Sequence, residues 1–206
     1  MMTLYYADFL SSRPVCALAK YLKSPVAYLF LDMTKSEQQA PAYRALNPNC
    51  KTPTLVADGQ AIWEADAIMC FMALHAGGAM WPGDARLVDV VRWLSWNAQH
   101  FTRSTGALYF EHIVRPRFNL GPPDAAEVAQ SLQDFHRYAA VLNDHLESRA
   151  WLVGDAMTVA DFKVAMALPY AVAAQLPLDA YPAVRRWHDR LNALEAWRDP
   201  FPSRAA

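Results

Sequence analysis

Three things that this sequence lacks limit what it can do. Its net charge is only −1, so nothing favours a nucleic acid or an anionic membrane surface as a partner. Its longest strong apolar run, Val26–Leu31, is far shorter than the ~18 residues that cross a bilayer. Asp8 and Arg13 interrupt the stretch in which an export signal would need continuous apolar residues. We therefore expect a cytoplasmic protein with no membrane partner.

Cysteine is also scarce, since Cys16, Cys50 and Cys70 are the only three in 206 residues. An odd number without a Cys-x-x-Cys pair argues against a disulfide framework and against a zinc site. We predict a reducing compartment and no metal. The apolar fraction of 54% is enough for a packed core, in one large domain or two small ones.

The sequence changes character near residue 80. Before that point, strand-like apolar runs alternate with helical patterns in the order β-α-β-α-β-β-α, beginning with a strand at Thr3–Tyr6 and a helix at Pro14–Lys23. Asp58-Gly59 is typical of a tight hairpin turn, and Gly77-Gly78 is typical of a helix end. The pattern predicts an α/β domain over residues 1–78.

After a linker at 79–85, the patterns indicate only helices over residues 86–206. Apolar residues recur at helical spacing from Leu87 to Phe101. Asp124 is placed to cap a helix that ends near Leu146, and Thr158 with Asp161 has the spacing of a capping box. A last helix is predicted from about Pro182 to Leu194. The second domain is therefore predicted to be all-α.

Two polar features lie beside strands of the first domain. Ser11 and Ser12 precede the first helix, where unpaired N–H groups and the helix dipole would stabilise a thiolate and a hydroxyl could donate to it. A serine in this place is more often a simple helix cap. Further on, Pro53 enters a strand after Lys51 and Thr52, and such a proline can be cis and expose neighbouring backbone groups, although most are trans.

A third feature is the helix start at Glu64, Ala65 and Asp66. Free N–H groups at a helix start can hold the carboxylate of an α-amino acid, while Glu64 or Asp66 can hold its ammonium group. Acidic residues in the first turn are also common without any ligand, because the dipole favours them. Each feature has an ordinary structural explanation, so it is their order along the chain that is informative.

Four short segments follow one another along the chain, at residues 47–55, 63–68, 151–161 and 181–197. Together they resemble the cytosolic glutathione transferases, of the bacterial, serine-class-like type. The resemblance covers essentially the whole chain. It implies a thioredoxin-like α/β N-terminal domain followed by an all-α C-terminal domain, which is the glutathione transferase fold. It also implies a homodimeric enzyme that takes glutathione as co-substrate and conjugates its thiolate to a small hydrophobic electrophile.

The resemblance assigns the binding residues by position. The backbone of Thr52, beside an expected cis Pro53, would pair with the cysteinyl part of glutathione. Lys51 would face the glycine carboxylate, and Glu64 with the amide of residue 65 would hold the γ-glutamyl group. The sulfur would receive a hydrogen bond from one of the two serines, with Ser11 as the first choice and Ser12 as the alternative.

The sequence departs from the family pattern at two positions near this site. Ala65 stands where a serine hydroxyl normally contacts the γ-glutamyl carboxylate, and the missing bond would cost about 1–3 kcal/mol. Cys50 stands where glycine is common, and a left-handed backbone is less favourable for it. In this family the long helix forms one wall of the electrophile pocket, so the resemblance implies that His100 and Tyr109, on or just after that helix, belong to the pocket.

Three other functions remain open at this point. A transferase-like chain can be a non-catalytic protein-binding scaffold, of the kind associated with stress or transcription, and Ala65 favours that interpretation. The pair Ser11-Ser12 is similar to the maleylacetoacetate isomerase branch, but Arg13-Pro14-Val15 then departs from it. A glutathione-dependent disulfide reductase would require a reactive Cys16, although a buried structural cysteine is the commoner case at such a position.

Overall fold

The computed structural model describes residues 1–203, and the chain forms two compact units. One unit contains residues 1–81 together with residues 194–203, and the other contains residues 82–193. The sequence-based boundaries of 1–78, 79–85 and 86–206 differ from this division mainly at the C-terminus. They stay a prediction.

The first unit is a mixed sheet with helices. Its elements are β1 (Met2–Tyr6), α1 (Arg13–Tyr21), β2 (Val26–Phe30), α2 (Pro41–Leu46), β3 (Thr54–Ala57), β4 (Gln60–Trp63) and α3 (Ala65–His75). The sheet order is β2-β1-β3-β4, with β1 parallel to β2 and antiparallel to β3. The predicted βαβ unit and the hairpin at Asp58-Gly59 are confirmed.

Alternating side chains of β1 are buried, and Leu4 at its centre is fully inaccessible. Helix α1 buries an unbroken run from Arg13 to Ala19. It ends at Tyr21, two residues earlier than predicted, because Lys23 adopts a positive φ of 51° that a right-handed helix cannot continue.

The second unit is helical throughout its regular elements. These are α4 (Arg86–Trp96), α5 (Thr102–Tyr109), α6 (Arg115–Arg117), α7 (Ala125–Leu146), α8 (Val159–Val164) and α9 (Pro182–Asn192). Two π-helical turns, Asn97–Phe101 and Phe110–Val114, join α4 to α5 and α5 to α6 without an intervening loop. The predicted amphipathic helix therefore continues well past Phe101, and its π turns were not foreseen.

The predicted cap of α7 is confirmed, because an Asp124 carboxylate oxygen accepts from the amides of Ala126 and Glu127 at 2.9 and 3.2 Å. A short helix, α10 (Glu195–Arg198), follows α9 and lies in the first unit. Among residues 1–203, each helix is too short or too polar to cross a membrane.

The helical unit contains one fully buried carboxylate, Asp161, in the first turn of α8. It accepts from the amide of Leu152 at 2.9 Å, from the amide of Thr158 at 2.8 Å and from the indole N–H of Trp187 at 2.9 Å. Burial outweighs these donors and raises the pKa of Asp161 to about 6, so the carboxylate is still mostly ionised at neutral pH. Since the native state holds this proton more tightly than the unfolded chain, its titration does not itself drive acid unfolding.

We expect Asp161→Ala to lower the free energy of unfolding by about 3 kcal/mol or more, because two backbone amides and an indole N–H lose their buried acceptor. Urea denaturation at pH 7 measures this loss. Asp155→Ala, at an exposed position, is the matched control and should change stability by less than about 0.5 kcal/mol. Equal stability of the two variants would show that the donors find other partners.

Candidate functional site

The serine loop, residues 7–12, joins β1 to α1 and separates the two candidate hydroxyls. Ser11 is exposed, and its Oγ donates to the carbonyl oxygen of Thr52 at 2.9 Å. Ser12 is fully buried, and its Oγ accepts from the amide of Ala7 at 3.3 Å. Within the serine loop, the hydroxyl that a ligand can reach is therefore that of Ser11.

The proline loop, residues 47–53, lies opposite the serine loop. Its Thr52–Pro53 peptide bond is cis, as expected from the sequence. Lys51 is exposed, while Thr52 and Pro53 are buried. Cys50 has a φ of 53°, so the left-handed backbone predicted at this position is present even though the residue is not glycine.

Two polar side chains that the sequence analysis gave no role hold the proline loop in place. Asn47 is buried, and its Nδ2 donates to the carbonyl of Lys51 at 2.8 Å and to Oγ1 of Thr54 at 3.0 Å. The hydroxyl of Tyr43 donates to the same Lys51 carbonyl at 2.6 Å. An asparagine at a loop start is a weak signal, because only the fold shows which backbone groups it can reach.

The start of α3 provides the third part of the site. Glu64 is exposed and has a φ of 71° and a ψ of 123°, an uncommon conformation for a residue with a side chain. Ala65 begins the helix and is buried, and Asp66 is half-buried. This turn presents the first free amides of α3 beside an acidic side chain, a suitable arrangement for an α-amino acid group.

Strand pairing brings these three parts to one end of the sheet. Thr54 at the start of β3 pairs with Tyr5 near the end of β1 and with Trp63 at the end of β4. The serine loop follows β1, the proline loop precedes β3, and Glu64 follows β4. The structure thus brings Ser11, Thr52 and the start of α3 to the same end of the sheet, as the predicted binding roles require.

The two predicted electrophile-site residues lie in the helical unit and have different neighbours. The ring of His100 stacks on Tyr138 with centroids 4.9 Å apart, beside a cavity of about 420 Å³ that Arg103 and Asp134 also line. Tyr109 is buried and packs edge-on against Tyr170 at 5.0 Å. Their role in binding an electrophile stays a prediction.

The three cysteines differ in accessibility. Cys16 is fully buried in α1, and this burial raises the pKa of its thiol far above the ordinary value. Cys70 is partly buried, which also raises the pKa of its thiol, whereas Cys50 is partly exposed at the proline loop. A buried thiol that resists ionisation is a poor nucleophile, so the structure gives no support to a reductase that depends on Cys16.

The fold has the features of one class of protein: a thioredoxin-like sheet with a cis-proline loop and an acidic helix start at one end, followed in the chain by a helical unit. The N-terminal domain model of the glutathione S-transferases matches residues 1–73, and the C-terminal domain model matches residues 102–195. Glutathione S-transferase 3 of Zea mays is 30% identical over 175 residues, covering 82% of this chain and 78% of that protein. This chain belongs to the glutathione S-transferase family.

Other comparisons agree with this assignment. The probable glutathione S-transferase GSTF2 of Oryza sativa subsp. japonica is 30% identical over 173 residues, or 79% of this chain and 78% of that protein. The solved glutathione transferase F7 of Populus trichocarpa has the same fold, with a TM-score of 0.89, 18% identity and 97% coverage of both chains. The predicted family and fold class are confirmed. The bacterial, serine-class-like subtype stays a prediction.

The burial of Cys16 leads to a test of thiol reactivity. In the native protein, we expect Ellman's reagent to modify Cys50 quickly and Cys16 only after unfolding, because the thiolate is the reactive form and burial disfavours it. Peptide mapping after brief labelling identifies the modified thiols, and Cys50→Ser should abolish the fast phase. Rapid modification of Cys16 in the folded protein would contradict this assignment.

Proposed function

We propose that this member of the family joins the thiolate of glutathione to a small hydrophobic electrophile. The observation that carries the proposal is the exposed Ser11 hydroxyl, 2.9 Å from the carbonyl of Thr52 and next to the cis Pro53. The relatives are named glutathione S-transferases, which supports an enzyme that uses glutathione. A solved structure of the same fold, glutathione S-transferase-I, holds lactoylglutathione, with a TM-score of 0.88 and 20% identity.

The groups at this end of the sheet suit the three parts of glutathione. The exposed Lys51 ammonium can pair with the glycine carboxylate, and Glu64 can pair with the ammonium of the γ-glutamyl group. Between them, the backbone of Thr52 can form hydrogen bonds with the cysteinyl part, as an added strand would. In this arrangement the cysteinyl sulfur would lie towards the serine loop.

Ser11 has one hydroxyl proton, and in the free protein it is donated to the Thr52 carbonyl. When the cysteinyl amide of glutathione donates to that carbonyl, the Ser11 hydroxyl can turn and donate to the sulfur instead. Lowering a thiol pKa by ~2 units needs about 2.7 kcal/mol of selective thiolate stabilisation. One charge-assisted hydrogen bond, worth roughly 1.5–3 kcal/mol, is of the required size.

The reaction itself is a nucleophilic attack. The lone pair of the thiolate forms a carbon–sulfur bond to the electrophile, and the displaced electron pair leaves with the leaving group or enters the conjugated system. The hydrogen bond from Ser11 keeps the thiolate ionised until it reacts. The identity of the electrophile would be set by the side chains that contact it.

We further propose that the enzyme is a homodimer, as family members usually are. Exposed apolar side chains on α4, Val88 and Val91, provide surface that a second copy could cover. Neither the scaffold nor the isomerase alternative gains support from the fold or the relatives. The accessible Ser11 hydroxyl favours an intact binding site over a scaffold that has lost it.

The choice between the two serines can be decided by titration of bound glutathione. Ser11→Ala should raise the pKa of the bound thiol by roughly 2 units, towards its solution value, because the donor to the thiolate is lost. Ultraviolet absorbance of the thiolate against pH gives this value, with the exposed Ser95→Ala as control. If Ser12→Ala raises the pKa and Ser11→Ala does not, the donor is Ser12.

A second prediction concerns Ala65, where the family serine is missing. Ala65→Ser should tighten glutathione binding several-fold, since one hydrogen bond contributes about 0.5–1.5 kcal/mol. Calorimetric titration of reduced glutathione measures this change, and Ala67→Ser, exposed on the same helix, should leave the affinity unaltered.

The same calorimetric titration tests the proposed function itself. Saturable binding to the natural protein, tighter than roughly 1 mM or about −4 kcal/mol, would support the enzyme. No detectable binding would overturn the proposal and favour the scaffold. Unchanged or weaker affinity in Ala65→Ser would refute the account of the missing hydroxyl without affecting the proposed function.

A further inference from the structure

The C-terminal segment, residues 194–203, is part of the first unit and contacts the residues at both ends of the serine loop. Tyr6, the last residue of β1, comes directly before the loop, and Arg13, the first residue of α1, comes directly after it. Inside the loop, the carbonyl of Phe9 accepts from the amides of Ser12 and Arg13 at 3.2 and 3.3 Å. Such a tightly bonded loop takes its position from the two residues that hold its ends.

Arg13 holds the helical end of the loop. It is buried, and its Nη2 donates to the backbone carbonyl of Trp197, which lies in α10. The guanidinium carbon also lies 5.2 Å from the centroid of the Trp197 ring, which is itself fully buried. A charge-assisted hydrogen bond and a desolvated cation–π contact are among the stronger polar interactions in proteins, so this link is rigid.

Tyr6 holds the strand end. Its buried ring stacks on Phe201 with centroids 6.0 Å apart and planes inclined by 15°. The segment is also tied to α1 by Lys20, whose Nζ lies 3.3 Å from carboxylate oxygens of both Glu195 and Asp199. These ion pairs are largely exposed and contribute little energy, so the main attachment is through Arg13 and Tyr6.

We propose that the C-terminal segment positions the serine loop for catalysis, with Arg13 as the positioning residue. The segment contacts Tyr6 and Arg13, which flank the serine loop by one residue on each side, and the loop carries the hydroxyl that has to meet the sulfur. Misplacing a reacting group by about 1 Å can cost up to 100-fold in rate, so a firm hold on this loop matters to the chemistry. The catalytic consequence rests on the proposed function.

The test compares Arg13→Met with Arg13→Lys and with Lys20→Met. Arg13→Met should raise the pKa of bound glutathione by roughly 1 unit, with less than about threefold change in glutathione affinity, because the sulfur contact weakens while Thr52 and Glu64 still bind. Arg13→Lys keeps the charge but not the planar stacking group, so the pKa of bound glutathione should rise less than it does in Arg13→Met. Lys20 contacts the same segment away from the loop. Lys20→Met should therefore have the same glutathione affinity and the same pKa of bound glutathione as the natural protein.

Hydrogen exchange gives a readout that does not depend on glutathione. In Arg13→Met, amides of residues 7–13 should exchange faster, while amides of β3 and β4 should keep their protection. If the natural protein binds no glutathione, the proposed function fails, and the exchange result alone decides whether the segment holds the loop. Unchanged exchange in residues 7–13, or an unchanged pKa in a variant that binds glutathione, would overturn the positioning role. Should Arg13→Met fail to fold, Arg13→Lys provides both measurements.

Discussion

The antiparallel pairing of β1 with β3 is the contact on which the site depends. Its register, with Tyr5 opposite Thr54, sets the end of β1 beside the start of β3. That neighbourhood allows Ser11 to reach the Thr52 carbonyl across 41 residues of sequence. A slip of one residue would turn every side chain of β3 to the opposite face of the sheet, so core packing around Leu55 fixes the register and, with it, the site.

Buried polar groups make each unit specific rather than only compact. Asn47 and Tyr43 pair with the backbone of the proline loop, and Asp161 gathers donors from three parts of the helical unit. A buried polar group without a partner is costly, so each of these arrangements excludes alternatives that would leave one unpaired. The proline loop is thus held by side chains behind it and leaves its exposed face free for a ligand.

Local patterns predicted most of the regular elements. Helix α3 at Ala65–His75 and helix α7 ending at Leu146 have the expected bounds, since apolar periodicity, a cap and a terminal glycine are properties of adjacent residues. The two π turns after Trp96 and Tyr109 were missed, because no residue type marks a π turn and the helix continues through it without a break. The role of Asn47 was missed because its partners are set by a loop that forms only in the folded chain.

By itself, the sequence determined the family and the order of the elements, and it named candidate site residues, because motifs and periodicity are encoded between near neighbours. Tertiary structure alone decided that the hydroxyl of Ser11 is exposed and that of Ser12 is buried, since two adjacent serines differ only in what packs around them. It also decided that residues 194–203 belong with the first unit. Burial joins residues far apart in the chain, and no local pattern records which distant groups will meet.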